Sequence, residues 1–413
     1  MRHLLLSVLA CFTLCASARG ADELGSLTQA VKTLRSTHGT NTERDAGPEL
    51  TPIKQALRHW IETQIVTLPD SNNDTGILTR LQDALTTDIN AAGLQCGDAG
   101  EPNCGRADQQ FNARGYLDGV RLAYLDGGRY LTVETGVGIV CGYDQSAYIY
   151  ERDSNRAWQL LLQSEQDDYR QDKYSPQDIE AIRVSPASVM SDKPAPPLIL
   201  TLGISPWCSS NWQGLSIRLW RADSQNPTPA PILYKTTGVY LGSDPIADGR
   251  VTNQDLLIQY TNNSIDEARF IRPYILHYAI TAGDRLTRIA PVALTPEDFV
   301  DEWLTSNWRD SAHWSNTHAS AALANWHKNL GVKTDGFFFG DGNTSHCRDP
   351  ALWQVAFSNT DKNGNPQRPA YFLVRWLAPY RFTMMGVATK AYADCDRADA
   401  MTDNPVTLFQ PSP

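Results

Sequence analysis

Six cysteines, Cys96, Cys104, Cys141, Cys208, Cys347 and Cys395, carry the most definite chemistry in this sequence. Two more, Cys11 and Cys15, lie in an apolar stretch at the N-terminus. The sequence contains no C-x-x-C pair and no histidine at zinc-finger spacing from a cysteine, so the set does not read as metal ligands. An even number of cysteines in an exported chain reads as disulfides. Cys96 and Cys104 bracket a turn-rich loop and suit a local bridge. Cys141, Cys208, Cys347 and Cys395 are then left to pair at long range.

Other reactive types give weaker patterns. His313, His318 and His327 cluster in sequence, but their spacings do not fall on one helix face. Gly203-Ile-Ser205-Pro-Trp207 begins like a nucleophile elbow, lacks its second glycine, and carries an obstructing proline. Asp70–Gly76 and Asp361–Asn365 resemble calcium loops and fail at the glycine or the twelfth position. No phosphate-cradling glycine loop is present. No cofactor and no metal is therefore expected. Glu134 and Asp144 read as ordinary solvent-facing or turn-capping carboxylates. Trp207 and Trp212 flank Cys208 in a loop with serine and asparagine, which is the composition of a sugar or peptide contact. They are the candidate ligand-binding residues; covering a disulfide at Cys208 is their structural alternative.

The N-terminus sets the compartment. Arg2 and His3 precede the apolar run Leu4–Cys15, and small residues at Ala16, Ala18 and Gly20 complete a secretory signal over residues 1–20. The run is shorter than the roughly 20 residues that a bilayer requires, and no later stretch is a transmembrane candidate. Val8-Leu9-Ala10-Cys11 faintly resembles a lipobox, so a lipid anchor at Cys11 is the competing branch; the short apolar run before it counts against it. Loss of residues 1–20 removes Arg2 and Arg19 and no acid, taking the formal charge from −10 to −12. A chain this acidic does not suit nucleic acid or anionic membrane.

These residues need a scaffold. Residues 21–50 read as a polar linker with a weak helix near Leu27–Leu34. Residues 51–115 read as helical. Thr51 and Pro52 serve as N-cap and first helical residue, with Ile53, Leu57, Trp60 and Ile61 at helical spacing. A second apolar stripe runs from Ile77 to Ile89, making an αα-hairpin. Residues 116–294 read as an antiparallel β domain, opening with a hairpin about Asp126-Gly127. A short helix is expected to start at Ser175-Pro176-Gln177-Asp178. Cys141 and Cys208 each precede a strand ending in Arg and Asp, a faint repeat of the kind propeller blades show.

Residues 295–403 read as an α+β unit, begun by a capping box at Thr295–Asp298 with Phe299, Val300, Trp303 and Leu304 on the apolar face. In the next helix Ala322, Leu323, Trp326 and Leu330 form the expected apolar side. Residues 404–413 form a tail. The fold class is α+β, mostly antiparallel β: an N-terminal helical hairpin, a central β-sandwich or partial propeller-like region, and C-terminal helices plus a β-meander.

The function that follows is an exported binding or interaction module of the cell envelope, periplasmic or secreted, with a glycan or an envelope protein as partner. The alternative is an extracytoplasmic hydrolase with a dispersed carboxylate or Ser/His site. Mass measurement of the mature N-terminus tests the export reading: a mature protein beginning at Arg19 or Ala21 is expected, and acylated Cys11 as first residue would establish the anchor instead.

Overall fold

The computed structural model describes residues 22–34, 47–66, 68, 75–95, 116–138, 143–153, 157–165, 178–186, 196–205, 210–265, 271–330, 343–358 and 369–395. The chain divides into two compact units, Met1–Thr237 and Gly238–Pro413. It is mostly antiparallel β, built as four successive four-stranded meanders, each pairing its strands in chain order.

In the first unit, the first meander comprises β1 (Leu117–Leu125), β2 (Tyr130–Gly138), β3 (Tyr143–Arg152) and β4 (Trp158–Ser164). The expected hairpin about Asp126-Gly127 is present. Asp126, Gly127 and Gly128 all take positive φ, the left-handed region in which glycine costs least. The second meander comprises β5 (Asp178–Val184), β6 (Leu198–Ile204), β7 (Trp212–Arg221) and β8 (Leu233–Tyr240), and the unit boundary falls within β8. Asp178–Val184 is thus a strand, which corrects the helix expected from Asp178. Every residue of β6 is buried, and β5 pairs with it from Asp178↔Ile204 to Val184↔Ile199. The demand of that buried strand for a partner outweighs a local capping pattern. Ser175–Gln177 lie outside the described residues.

The first meander is covered on both faces. Alternation in β3 sends Tyr148 and Tyr150 into a core with α1 (residues 22–34), α2 (Gly47–Ile65) and α3 (Thr75–Ala91). It sends Ala147 and Ile149 into a second core with Ile182, Ile199 and Trp220 of the second meander. Helix α2 starts at Gly47 rather than at Thr51, and Pro52 lies inside it. The apolar stripe explains the earlier start: Leu50 is fully buried, one turn upstream of Ile53 and two upstream of Leu57. In α1, Leu27, Val31 and Leu34 are buried in the same core.

The second unit contains the third meander, β9 (Ala247–Val251), β10 (Asp255–Asn263), β11 (Ile271–Thr281) and β12 (Arg285–Arg288). It also holds α4 (Pro296–Thr305), α5 (Trp308–His313), α6 (Ser320–Leu330) and the fourth meander, β13 (Asn343–His346), β14 (Leu352–Phe357), β15 (Ala370–Ala378) and β16 (Arg381–Ala388). The start of α4 is as expected: the Thr295 side chain accepts from the Asp298 N–H, with Pro296 at the first position. Phe299, Val300, Trp303 and Leu304 pack on Val355, Phe372, Val374 and Met384 of the fourth meander.

The opposite side of α4 is also buried, and it is charged. Asp301 Oδ2 accepts from Arg272 Nε at 2.8 Å, Ser264 Oγ at 3.0 Å and the Tyr274 hydroxyl at 3.1 Å. The Arg272 guanidinium lies 3.6 Å from the Tyr274 ring centroid and within ion-pair range of Asp298 and Glu302. Glu302 also pairs with Arg288. Helix α4 is therefore held by carboxylates on one face and apolar side chains on the other.

In α6 the buried pair is Leu323 and His327, while Trp326 is half-buried and Ala322 exposed, so the expected apolar side is rotated. His327 turns inward because its Nε2 meets the Trp303 carbonyl at 3.0 Å and its ring packs edge-on against Trp303.

Arg272→Met should cost about 3–5 kcal/mol in thermal or urea unfolding, because it strands Asp301 and its neighbours as uncompensated buried charge. A loss below about 1 kcal/mol would show the network to be effectively solvated.

Candidate functional site

A concentration of perturbed polar groups lies where β1 and β3 of the first meander meet β5 of the second. Register slips between Leu117 and Val120, and the slipped segment is Asp118-Gly119, with Gly119 at φ +101°. Such a bulge re-aims a side chain and is common beside functional sites. Here it accompanies Asp118 Oδ2 lying 3.7 Å from Arg121 Nη1 and accepting from Gln145 Nε2 at 3.4 Å. Arg121 Nε also lies 3.4 Å from Glu134 Oε2, so one guanidinium serves two carboxylates. Gly136 leaves the room: a Cβ there would stand 3.0 Å from Asp118 Cβ and 3.2 Å from both Gln145 Cγ and Tyr143 Cβ.

Strand β5 completes the cluster. Ile179 N–H donates to Gln145 Oε1 at 2.7 Å, which brings the preceding residue, Asp178, to the same place. Burial pushes the Asp178 carboxyl up to about 7, and the nearby Asp118 and Asp144 push the same way. A hydrogen bond from the Tyr143 backbone and the charge of Arg121 oppose the rise. Asp178 Oδ1 is buried and has no hydrogen-bond partner among the described residues. Burial also raises Glu134, against the pull of Arg121, and raises the Tyr143 phenol. A carboxyl that titrates near neutrality can donate and accept a proton over the ordinary pH range.

Beneath this cluster, on the other face of β3, Lys54 and Asp144 form an ion pair of 2.6 Å whose side chains are at most 1% exposed. The same stripe of α2 carries Arg58, which reaches Glu165 at 3.1 Å, and Glu62, which reaches the Tyr150 hydroxyl. Tyr148 donates a short hydrogen bond to Glu165, and burial raises its phenol well above the ordinary range. Asp144 is therefore fully buried and Glu134 half-buried with a cationic partner, correcting their reading as plain solvent-facing or turn-capping carboxylates. The missed signal was Lys54, a cation between the buried Ile53 and Leu57 that begins a charged row with Arg58 and Glu62.

Trp212 is half-buried at the start of β7. Ser205 N–H bonds the Gly214 carbonyl and Asp178 pairs with Ile204, so Trp212 and Asp178 belong to the same end of the second meander. Trp207 lies outside the described residues, as do Cys96, Cys104, Cys141 and Cys208. Cys347 and Cys395 are joined as one long-range disulfide of the kind expected. His313 and His318 are exposed and apart from buried His327, whose pKa burial lowers. Among the described residues, no group of three or more His, Cys, Asp or Glu side chains is placed to hold a metal ion, and no helix is long and apolar enough to cross a membrane.

No family model matches the sequence, and no curated protein matches it. Among solved structures, a protein solved as an RGII complex is 8% identical with a TM-score of 0.23, the match covering 70% of the present sequence and 91% of that protein. A glycoside hydrolase has 8% identity and a TM-score of 0.22 over the same shares. An endo-1,4-beta-xylanase from Bacteroides thetaiotaomicron has 9% identity and a TM-score of 0.20, over 68% of the present sequence and 79% of its own. TM-scores this low tie the protein to none of them.

The raised Asp178 has a definite linkage. The folded state holds its proton more tightly than the unfolded chain, whose carboxyl titrates near 3.8. Its contribution to stability is thus fully present below about pH 4 and is lost as pH rises through about 7. Asp178→Asn should remove that slope, so the variant's melting temperature gains on the native protein between about pH 4 and about pH 8. Parallel curves for the two proteins would show that Asp178 is not raised.

Proposed function

We propose that this is an exported, disulfide-containing binding protein of the cell envelope, with a glycan as its ligand. The observation that carries the reading is the mixed polar cluster of Asp118, Arg121, Glu134, Gln145 and Asp178. It offers charged acceptors and two kinds of donor side by side, drawn together where the bare backbone at Gly136 lets Asp118, Tyr143 and Gln145 approach. Sugar hydroxyls both donate and accept, and such groups satisfy them together. Trp212, at the same end of the second meander, adds an aromatic face of the kind that packs on a pyranose ring. The export part rests on the N-terminal signal pattern and is consistent with the Cys347–Cys395 bond, since disulfides persist in oxidising compartments. An envelope protein presenting a polar segment is the other partner this chemistry could take.

A second reading has one observation in its favour. With its carboxyl at about 7, Asp178 suits a general acid, and Glu134 or Asp118 would then serve as the partner carboxylate of a hydrolase.

Calorimetric titration with neutral, acidic and amino oligosaccharides tests the binding reading. Glu134→Gln should weaken the best ligand about tenfold or more, since a hydrogen bond to a charged group contributes about 1.5–3 kcal/mol. Absence of binding by every saccharide would overturn the glycan assignment. Turnover of any of them, lost in Asp178→Asn, would establish the hydrolase instead.

A further inference from the structure

The segment after β16, residues 389–395, has no helix or strand, yet it is tied to the fourth meander at four points. Cys395 is bonded to Cys347 across 48 residues. The Asp394 carbonyl accepts from the Arg348 N–H at 2.7 Å. The Tyr392 N–H donates to Gln354 Oε1 at 2.7 Å, and Gln354, itself only 4% exposed, is held by its Nε2 bond to Ser345 Oγ at 3.1 Å. The Tyr392 hydroxyl stands 2.9 Å from where a Cβ on Gly386 would be, so the phenol fills the space a side chain there would take. Burial raises that phenol's pKa, as expected for a ring pressed on a sheet. Gln354 lies on β14 and Gly386 on β16, so the segment reaches across the face of the meander turned away from α4.

We propose that residues 389–395 form a latched strap that gates reduction of the Cys347–Cys395 disulfide. Thiol–disulfide exchange requires a thiolate to approach one sulfur directly. Cys347 is 3% exposed and Cys395 6% exposed, so a reductant reaches the bond only after the strap lifts. The latch is mutual: the disulfide holds the strap down, and Tyr392, seated over Gly386 and accepting from the Cys395 N–H at 3.1 Å through its carbonyl, holds the turn that carries Cys395. Local opening of this kind has its own free energy, below that of global unfolding. A reducing encounter therefore leaves the outer face of the fourth meander intact until the strap opens, and then uncovers Gln354, Gly386 and two thiols together.

The test is the rate at which the full-length protein loses this one bond. Dithiothreitol delivers two electrons and two protons, leaving Cys347 and Cys395 as thiols and itself as a cyclic disulfide. Samples are quenched with N-ethylmaleimide, and the label on the peptides containing Cys347 and Cys395 is read by mass spectrometry, so other cysteines do not interfere. Tyr392→Ala should accelerate labelling about fivefold or more, the factor that corresponds to about 1 kcal/mol in the opening equilibrium. Gly386→Ala, which displaces the phenol without altering the strap, should act in the same direction. If Tyr392→Ala loses its native circular dichroism, Gly386→Ala decides alone. Acceleration below about fivefold in every natively folded variant would overturn the gate.

Discussion

The ion pair of Lys54 and Asp144 is the interaction on which the candidate site rests. Both side chains are cut off from water, and neither charge is tolerable there without the other. Asp144 lies on β3 between Tyr143 and Gln145, whose side chains leave the strand on the opposite face. Anchoring Asp144 to α2 therefore fixes the stretch of strand that presents Gln145 to Asp118 and Ile179. The pair also leaves a trace in the site's electrostatics: the negative charge of Asp144 still adds to the rise at Asp178, though it is smaller than burial and Asp118. Counting Asp118, Glu134, Asp144 and Asp178 against Lys54 and Arg121 gives four carboxylates for two cations. Holding a proton on Asp178 is how the fold relieves that excess near neutrality.

The second unit solves a related problem in a different place. Helix α4 is short, and one turn of it must satisfy two meanders. Asp298, Asp301 and Glu302 fall at i, i+3 and i+4, which is one face, while Phe299, Val300, Trp303 and Leu304 occupy the other. A helix with that pattern ordinarily floats its charged face in water. Here Arg272 and Arg288, from β11 and β12, meet it instead. The guanidinium geometry matters, because Arg272 serves several carboxylates at once while stacking on Tyr274.

Much of the fold was legible because its signals are local. The Asp126-Gly127 turn demands positive φ and the sequence supplies glycines; the Thr295 cap announces α4. The elements that escaped had no such signal. Ala247–Val251 contains Asp, Gly and Arg and reads as a turn, yet it is strand β9 because Asp255–Asn263 offers it a register partner at every residue. Ser175-Pro176-Gln177-Asp178 reads as a helix start because it fits the capping pattern, and pairing with the buried β6 makes Asp178 the first residue of a strand instead. The site was less legible still. Asp118, Gln145 and Asp178 are sixty residues apart from first to last, and nothing in their own neighbourhoods distinguishes them from other surface carboxylates and amides. Their perturbation arises from burial by partners distant in sequence. Lys54, Arg272 and Arg288 carried the one readable hint, since a cation inside an apolar stripe or strand requires a buried anion somewhere.

The position of the site follows from how the first meander is covered. One face lies under α1, α2 and α3 and the other against the second meander, so its interior positions are given over to packing. The polar cluster stands at the margin of that packing, where β1 and β3 meet β5. The Asp118-Gly119 bulge and the bare backbone at Gly136 are what that margin requires. The bulge bends Asp118 out of the ladder toward Arg121, and the missing side chain at Gly136 lets Asp118, Tyr143 and Gln145 close up on the strand. A Cβ at Gly136 would press on Asp118 and force the cluster apart, and one at Gly119 would strain a backbone at φ +101°. The irregularity falls where the polar cluster forms, and that agreement is the physical ground for proposing a site there.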